Sequence, residues 1–238
     1  MYKPIFAIVF LLYLPLCDIV AQTPQEIIQR HESMTGMMAR QKIRTLTSIG
    51  RITQMGSTVP VSIIQKRPNK YRLDVHLTEG RITQAYDGIS GWVCNPFVSP
   101  DTLPLDGPAL GQLRESADFD GILHTYRTKG YTAATVEKVK LGAQTAYKIR
   151  LSKPGGESMT FYIDAVTFFV VRSEADLLID GMAYQAESTF GDFRKVAGMI
   201  LPYFIQSRNG TLFTEIRIDT VRVNEQMEDR YFIWRSRK

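Results

Sequence analysis

Few side chains in this sequence offer reactive chemistry, and their spacing suits it poorly. The chain holds two cysteines, Cys17 and Cys94, and three histidines, His31, His76 and His124. A catalytic thiol needs a neighbouring base to become thiolate. No histidine stands in a recognisable arrangement with Cys94, which sits in a strand-like run where a buried, inert thiol is ordinary. Asp118 and Asp120 bracket Phe119, and a lone Asp-x-Asp of this kind reads as a solvated helix start. No His-x-x-x-His pair, Cys-x-x-Cys, Gly-x-Ser-x-Gly or Gly-rich phosphate loop occurs. These absences argue against an enzyme and leave binding. Arg67 raises a question of register. Val59, Val61 and Ile63 recur at every second position, and Arg67 shares their parity. If the strand runs on to Arg67, a guanidinium faces the apolar side, which is costly unless it is paired. Either it caps a cavity rim and contacts another element, or the turn at Pro68 swings it to solvent.

The elements that must position these residues centre on 65–98. Tyr71, Leu73, Val75 and Leu77 alternate with Arg72, Asp74 and His76, the period of a strand with one buried face. Glu79-Gly80 breaks the run, Ile82 to Tyr86 resumes it, and Asp87-Gly88 turns the chain again. Gly91 to Phe97 follows with a Trp and a Phe. Strands also read near 45–55 and 57–66. Pro100, Pro104 and Pro108 argue against a regular strand beyond 99. Leu110, Leu113 and Ala117 then recur at helical spacing, followed by Phe119, Ile122 and Leu123, so residues 99–126 read as a lid inserted into a meander. After Thr132 strand patterns return, among them Met159, Phe161 and Ile163, with turn signals at Pro154-Gly155-Gly156, Asp180-Gly181 and Asn209-Gly210.

Upstream, Thr23-Pro24-Gln25-Glu26 is a capping box with proline at the first helical position. Ile27, Ile28 and His31 follow at helical spacing, and Gly36 is a natural stop. The spacing fits a helix that plugs a cavity and equally one that seals an ordinary core. Residues 1–21 read as a secretory signal peptide: Lys3, an apolar run from Ile5 to Leu14 too short for an ordinary membrane span, and Ala21 before the cleavage point. Leu16 is too large for a lipoprotein signal at Cys17. Residues 22–238 then form a single domain of α+β class. About eleven strands with hairpin connections make one large curved antiparallel sheet, an incomplete β-barrel wrapped around the N-terminal helix and the short helical lid. The chain is 44% hydrophobic and 22% charged, with a net charge of +5. Its basic residues are spread, dense only at Arg235-Ser236-Arg237-Lys238, so no nucleic-acid stripe is present.

Residues 65–98 resemble the LolA family of bacterial periplasmic lipoprotein carriers. The matching pieces are Lys66-Arg67-Pro68-Asn69, Asp87-Gly88, Trp92 and Asn95-Pro96-Phe97-Val98, in the family's order. Elsewhere the likeness is one of layout. The resemblance implies an apolar cavity that holds the acyl chains of lipoproteins, or other lipid, for transfer through the periplasm to the outer membrane. It implies no cofactor and no enzyme activity. Its partners would be an inner-membrane release complex and an outer-membrane acceptor, with the carrier itself a monomer. Candidate cavity-lining residues are Val59, Val61, Ile63, Tyr71, Leu73, Val75, Trp92, Phe97, Leu110, Leu113, Phe119, Ile122, Leu123 and Phe161. Arg67 matches the family's Arg-Pro arginine, which hydrogen-bonds the lid backbone in the closed, empty form. Alternatives are an envelope sensor or adaptor on the same fold, an outer-membrane receptor anchored through Cys17 and, last, a hydrolase. The mature protein is expected to begin at Gln22. Intact-mass measurement checks this, and acyl chains on Cys17 would place the protein in the receptor class instead.

Overall fold

A computed structural model describes residues 22–154, 156–179 and 182–234. The signal-like segment with Cys17, Gly155, the Asp180-Gly181 turn and the basic tail from 235 lie outside them. The capping box forms as read: Thr23 Oγ1 accepts from the Glu26 N–H and Glu26 accepts from the Thr23 N–H. It starts α1 (Pro24–Thr35), which ends at Gly36 with φ +78° and leads into the single turn α2 (Met37–Arg40). A Cβ at Gly36 would collide with the Gly198 carbonyl oxygen, so glycine here permits both the turn and the docking of α1 on the sheet.

Six strands follow: β1 (Thr45–Gln54), β2 (Ser57–Lys66), β3 (Lys70–Leu77), β4 (Gly80–Tyr86), β5 (Gly91–Cys94) and β6 (Thr102–Leu105). Then come α3 (Gly107–Ser116) and the short α4 (Ile122–Thr125). Seven more strands complete the chain: β7 (Thr132–Leu141), β8 (Gln144–Ser152), β9 (Ser158–Asp164), β10 (Val170–Ile179), β11 (Met182–Val196), β12 (Met199–Asn209) and β13 (Leu212–Val223). All thirteen form one antiparallel sheet, ordered β6-β5-β4-β3-β2-β1-β13-β12-β11-β10-β9-β8-β7. Two meanders are thus joined where β1 pairs with β13. The outermost strands, β6 and β7, do not pair, so the barrel stays incomplete. The chain that connects them carries α3 and α4 across the open side.

The sheet exceeds the expected eleven strands by two. One reason is β6, which forms despite Pro104 because it is an edge strand and needs no outward N–H donor. In the Arg-Pro turn, Asn69 Nδ2 donates to the Gly88 carbonyl (3.3 Å), so the basic-Pro turn and the Asp-Gly turn meet in space.

Three apolar clusters line the concave side. Ile27 and Ile28 of α1 pack with Leu123, Tyr126 and inward residues of β8 and β9, including Ile149 and Phe161. Leu46, Phe119, Met199, Leu201 and Ile218 form a second cluster where the meanders join. Leu113 and Ala117 of α3 cover Tyr71 and Tyr86 in a third.

The opposite face of β2–β5 is covered as well, against expectation. Residues 226–232 cross it, and Phe232 is fully buried. Arg72 and Asp74, read as the polar side of β3, are buried beneath this strap. Arg72 donates to Asp74 from Nε (2.7 Å) and Nη2 (2.9 Å), and from Nη1 to the Tyr231 carbonyl (2.6 Å). Trp92 shares that face and donates from Nε1 to the Phe232 carbonyl (2.8 Å), so it does not line the concave side. Gly36→Ala is expected to cost more than about 1 kcal/mol, since alanine suits neither the left-handed φ nor the contact with Gly198. Gly56→Ala, at φ +80° but in open space, should lose clearly less. Urea unfolding midpoints of the two variants check the difference.

Candidate functional site

A cavity of about 320 Å³ lies between α1, the lid and the second meander. The helical turns supply its polar side: His31, Glu32 and Thr35 from α1, and Arg40 from the end of α2. The lid contributes Asp120 to His124, with Ile122 and Leu123 presenting apolar surface. The sheet wall is wholly apolar, made by Phe161, Val170, Phe190, Phe193, Ile200, Leu201 and Pro202. An apolar chamber with a few converging polar groups is the usual form of a small-ligand site.

Arg67 latches the lid segment to the sheet beside this chamber. Its guanidinium makes a bidentate pair with Asp120, with Nη1 donating to Oδ2 at 2.7 Å and Nη2 donating to Oδ1. Nε donates to the Ile43 carbonyl (2.8 Å) and Nη2 also to the Arg40 carbonyl (3.1 Å). The ring of Phe119 lies under the same guanidinium, 4.4 Å from centroid to Cζ. Arg67 therefore faces inward, as its parity allows, and its charge is paired. The expected partner is corrected: Arg67 binds the Asp120 carboxylate and not the lid backbone. The lid backbone bond belongs to Arg40, whose Nε donates to the Phe119 carbonyl (2.6 Å). The hydrogen bonds from Arg67 hold the Asp120 carboxyl below the ordinary carboxylate range, against the opposing effect of burial. Asp118 accepts from the Gly121 N–H (3.3 Å), Thr125 Oγ1 (2.9 Å) and Lys129 Nζ (2.6 Å), which fixes the turn into α4. The Asp-x-Asp that read as a solvated helix start is thus two separate anchors.

Two histidines tie α1 to its surroundings. His31 Nδ1 lies 2.8 Å from the Phe168 carbonyl and must carry the proton, because a carbonyl only accepts. Burial lowers the His31 pKa, against the raising effect of its bond to Phe168, and so favours the neutral ring. His124 Nδ1 donates to Glu32 Oε1 at 2.7 Å, joining the lid to α1. Among the described residues, no cluster of three or more His, Cys, Asp or Glu is placed to hold a metal ion.

The sequence candidates divide by location. Ile122, Leu123 and Phe161 line the chamber. Phe119 is buried beside it beneath the two arginines. Val59, Val61 and Ile63 share the concave face with Tyr71, Leu73 and Val75, through the pairs Val61–Val75 and Ile63–Leu73. That half of the concave face lies apart from the chamber: α3 covers part of it, and Leu110 and Leu113 pack there against Tyr71 and Tyr86. Phe97 is half exposed, with its ring against Gly80. The residues that sequence reasoning missed are Arg40, Asp120 and the β10–β12 wall. Only the unusual Asp-Phe-Asp beside a lid hinted at one of them.

An open antiparallel sheet curled around helices, with a latched lid over an apolar chamber, defines a half-barrel fold. No family model and no curated protein matches the chain. Solved structures do match it. One is a LolA superfamily protein from Nitrosomonas europaea, at TM-score 0.60 and 14% identity, covering 90% of this chain and 99% of that one. A domain named for outer membrane lipoprotein sorting, from Vibrio parahaemolyticus, aligns at TM-score 0.58 and 12% identity over 88% and 97% of the two chains. A DUF1329 family protein from Desulfovibrio piger aligns at TM-score 0.58 and 12% identity over 87% and 97%. At these identities the likeness is one of fold, and the fold is LolA-like.

The latch sets a pH dependence. Asp120 has a depressed pKa, so its contribution is complete above the ordinary carboxylate range and is lost only as the pH falls through the depressed value. Asp120→Asn is expected to remove about 1.5–3 kcal/mol of latch energy. Hydrogen exchange at the amides of residues 117–125 should then be about tenfold faster or more at neutral pH. In strong acid the wild type should approach the variant.

Proposed function

We propose that this protein is a periplasmic carrier that shields the acyl chains of lipoproteins, or of related lipids, during transfer to the outer membrane. The observation that carries the reading is an apolar chamber closed by a lid whose latch is a separate ion pair. A methylene left in water costs about 0.8 kcal/mol, so a lipidated molecule needs cover to cross an aqueous gap. The sheet wall of Phe161, Val170, Phe190, Phe193, Ile200, Leu201 and Pro202 offers that cover with no covalent step. The lipoprotein-sorting name of the Vibrio parahaemolyticus neighbour favours lipoprotein as cargo. In this reading residues 1–21 export the chain and are removed after Ala21, and residues 22–238 work as one monomeric domain. Loading draws on an inner-membrane release complex and delivery on an outer-membrane acceptor. The carrier uses no cofactor and performs no catalysis.

The latch gives the carrier direction. In the latched form the chamber is small for a multiply acylated cargo, and bulky chains must displace the lid and break the Arg67–Asp120 pair. The closed form then competes with bound cargo and drives its release. Arg67→Leu removes that competition and adds apolar surface at the rim, so the variant is expected to load readily and to release a fluorescent acyl ligand about tenfold more slowly or worse. Arg67→Lys keeps the charge but loses the planar fork, and should fall between. Stopped-flow off-rates of the three proteins test the reading. Equal rates would leave Arg67 without a role in release.

A further inference from the structure

The hydrogen-bonding groups at the polar side of the chamber are unequally used. Both Asp120 oxygens are taken by Arg67. Glu32 Oε1 receives the His124 N–H. His31 Nδ1 is spent on the Phe168 carbonyl. Arg40 is different. Its Nε donates to the Phe119 carbonyl, but neither terminal amino group of the guanidinium has an acceptor among the described residues. This side chain lines the chamber and is only partly exposed. These two donor groups border an apolar wall and are open to solvent, so a carboxylate or phosphate oxygen entering the chamber can take them. The buried Arg72, by contrast, spends all three nitrogens on Asp74 and the Tyr231 carbonyl.

The chamber's size narrows the ligand further. At about 320 Å³ it lies at the low end of the range for small-ligand sites, which is roughly 300–1,000 Å³. With the lid latched, it has room for one slender chain. We infer that the latched protein binds a single-chain anionic amphiphile, its acyl chain against the β9–β12 wall and its carboxylate or phosphate head on the terminal amino groups of Arg40. This rests on the reading of the chamber as an acyl-chain site, and it gives that site a headgroup preference. It also separates two kinds of occupancy. A small anionic lipid fits under the closed lid, whereas bulkier cargo must open it. The net local charge alone does not decide the preference, because Glu32 and Asp120 also line the chamber. Their engagement by His124 and Arg67 leaves Arg40 as the group with donors to give.

The test is equilibrium dialysis at pH 8 with four radiolabelled ligands of equal chain length: dodecanoate, dodecyl phosphate, dodecanol and dodecyltrimethylammonium. Wild type is expected to bind at least one of the two anions tenfold or more tightly than the alcohol, the gain typical of a charge-assisted hydrogen bond, and to bind the cation most weakly. Which anion binds better distinguishes a free fatty acid from a phosphate-headed lipid. Arg40→Gln also touches the lid through the Phe119 bond, so the informative quantity is the ratio of anion to alcohol affinity. That ratio should collapse toward one in Arg40→Gln and survive in part in Arg40→Lys. Equal affinity of wild type for anion and alcohol, or preference for the cation, would overturn the headgroup assignment and leave the acyl chamber standing. Failure of all four ligands to bind would overturn both.

Discussion

A guanidinium aimed at an apolar interior must be given acceptors, and much of this structure follows from how Arg67 receives them. Its nitrogens reach the Ile43 and Arg40 carbonyls after α1 and the Asp120 carboxylate of the lid. One side chain on one strand therefore joins the N-terminal helical turn, the lid and the first meander. The flat ring of Phe119 completes the enclosure by stacking against the charge. Removing the arginine would strand a partly buried carboxylate, and removing the carboxylate would strand a cation. The pair is thus conditional, strong while the lid is seated and absent once it lifts.

The two faces of the first meander do different work. The inner face meets α3. The outer face is sealed by residues 226–232, which bury the Arg72–Asp74 pair and accept the Trp92 indole N–H. Arg67 thus projects from strands that are covered on both faces. The chamber lies instead against the second meander, where Phe161, Phe190 and Ile200 line it.

What the sequence made legible were the features fixed by neighbours along the chain. Thr23 and Glu26 announce a helix start three residues apart, and the 70–86 alternation with its turn glycines announces paired strands. The inward parity of Arg67 is a local fact of the same kind. Features set by distant chain were not legible. Asp120 is paired with a residue 53 positions away, and in sequence it looks like any exposed acid. The faces of Arg72 and Trp92 were misjudged because their cover arrives some 140 to 160 residues later. The chamber's location was hidden because alternation tells which residues share a face but not which part of that face a helix will fill. Pro104 misled for a related reason: a proline forbids a central strand, and only topology reveals that its strand is at the edge.

One feature of the topology bears on motion. The chain bearing α3 and α4 leaves from one border strand of the sheet and returns at the other, β6 to β7. It is tethered at both ends, like the string of a bow whose limbs are the two meanders. A string cannot swing out like a door; it slackens or tightens as the limbs bend. Lifting it from Arg67 and flexing the sheet are then a single deformation. A ligand large enough to spread the strands would draw the string taut and work the ion pair loose, without touching either of its members.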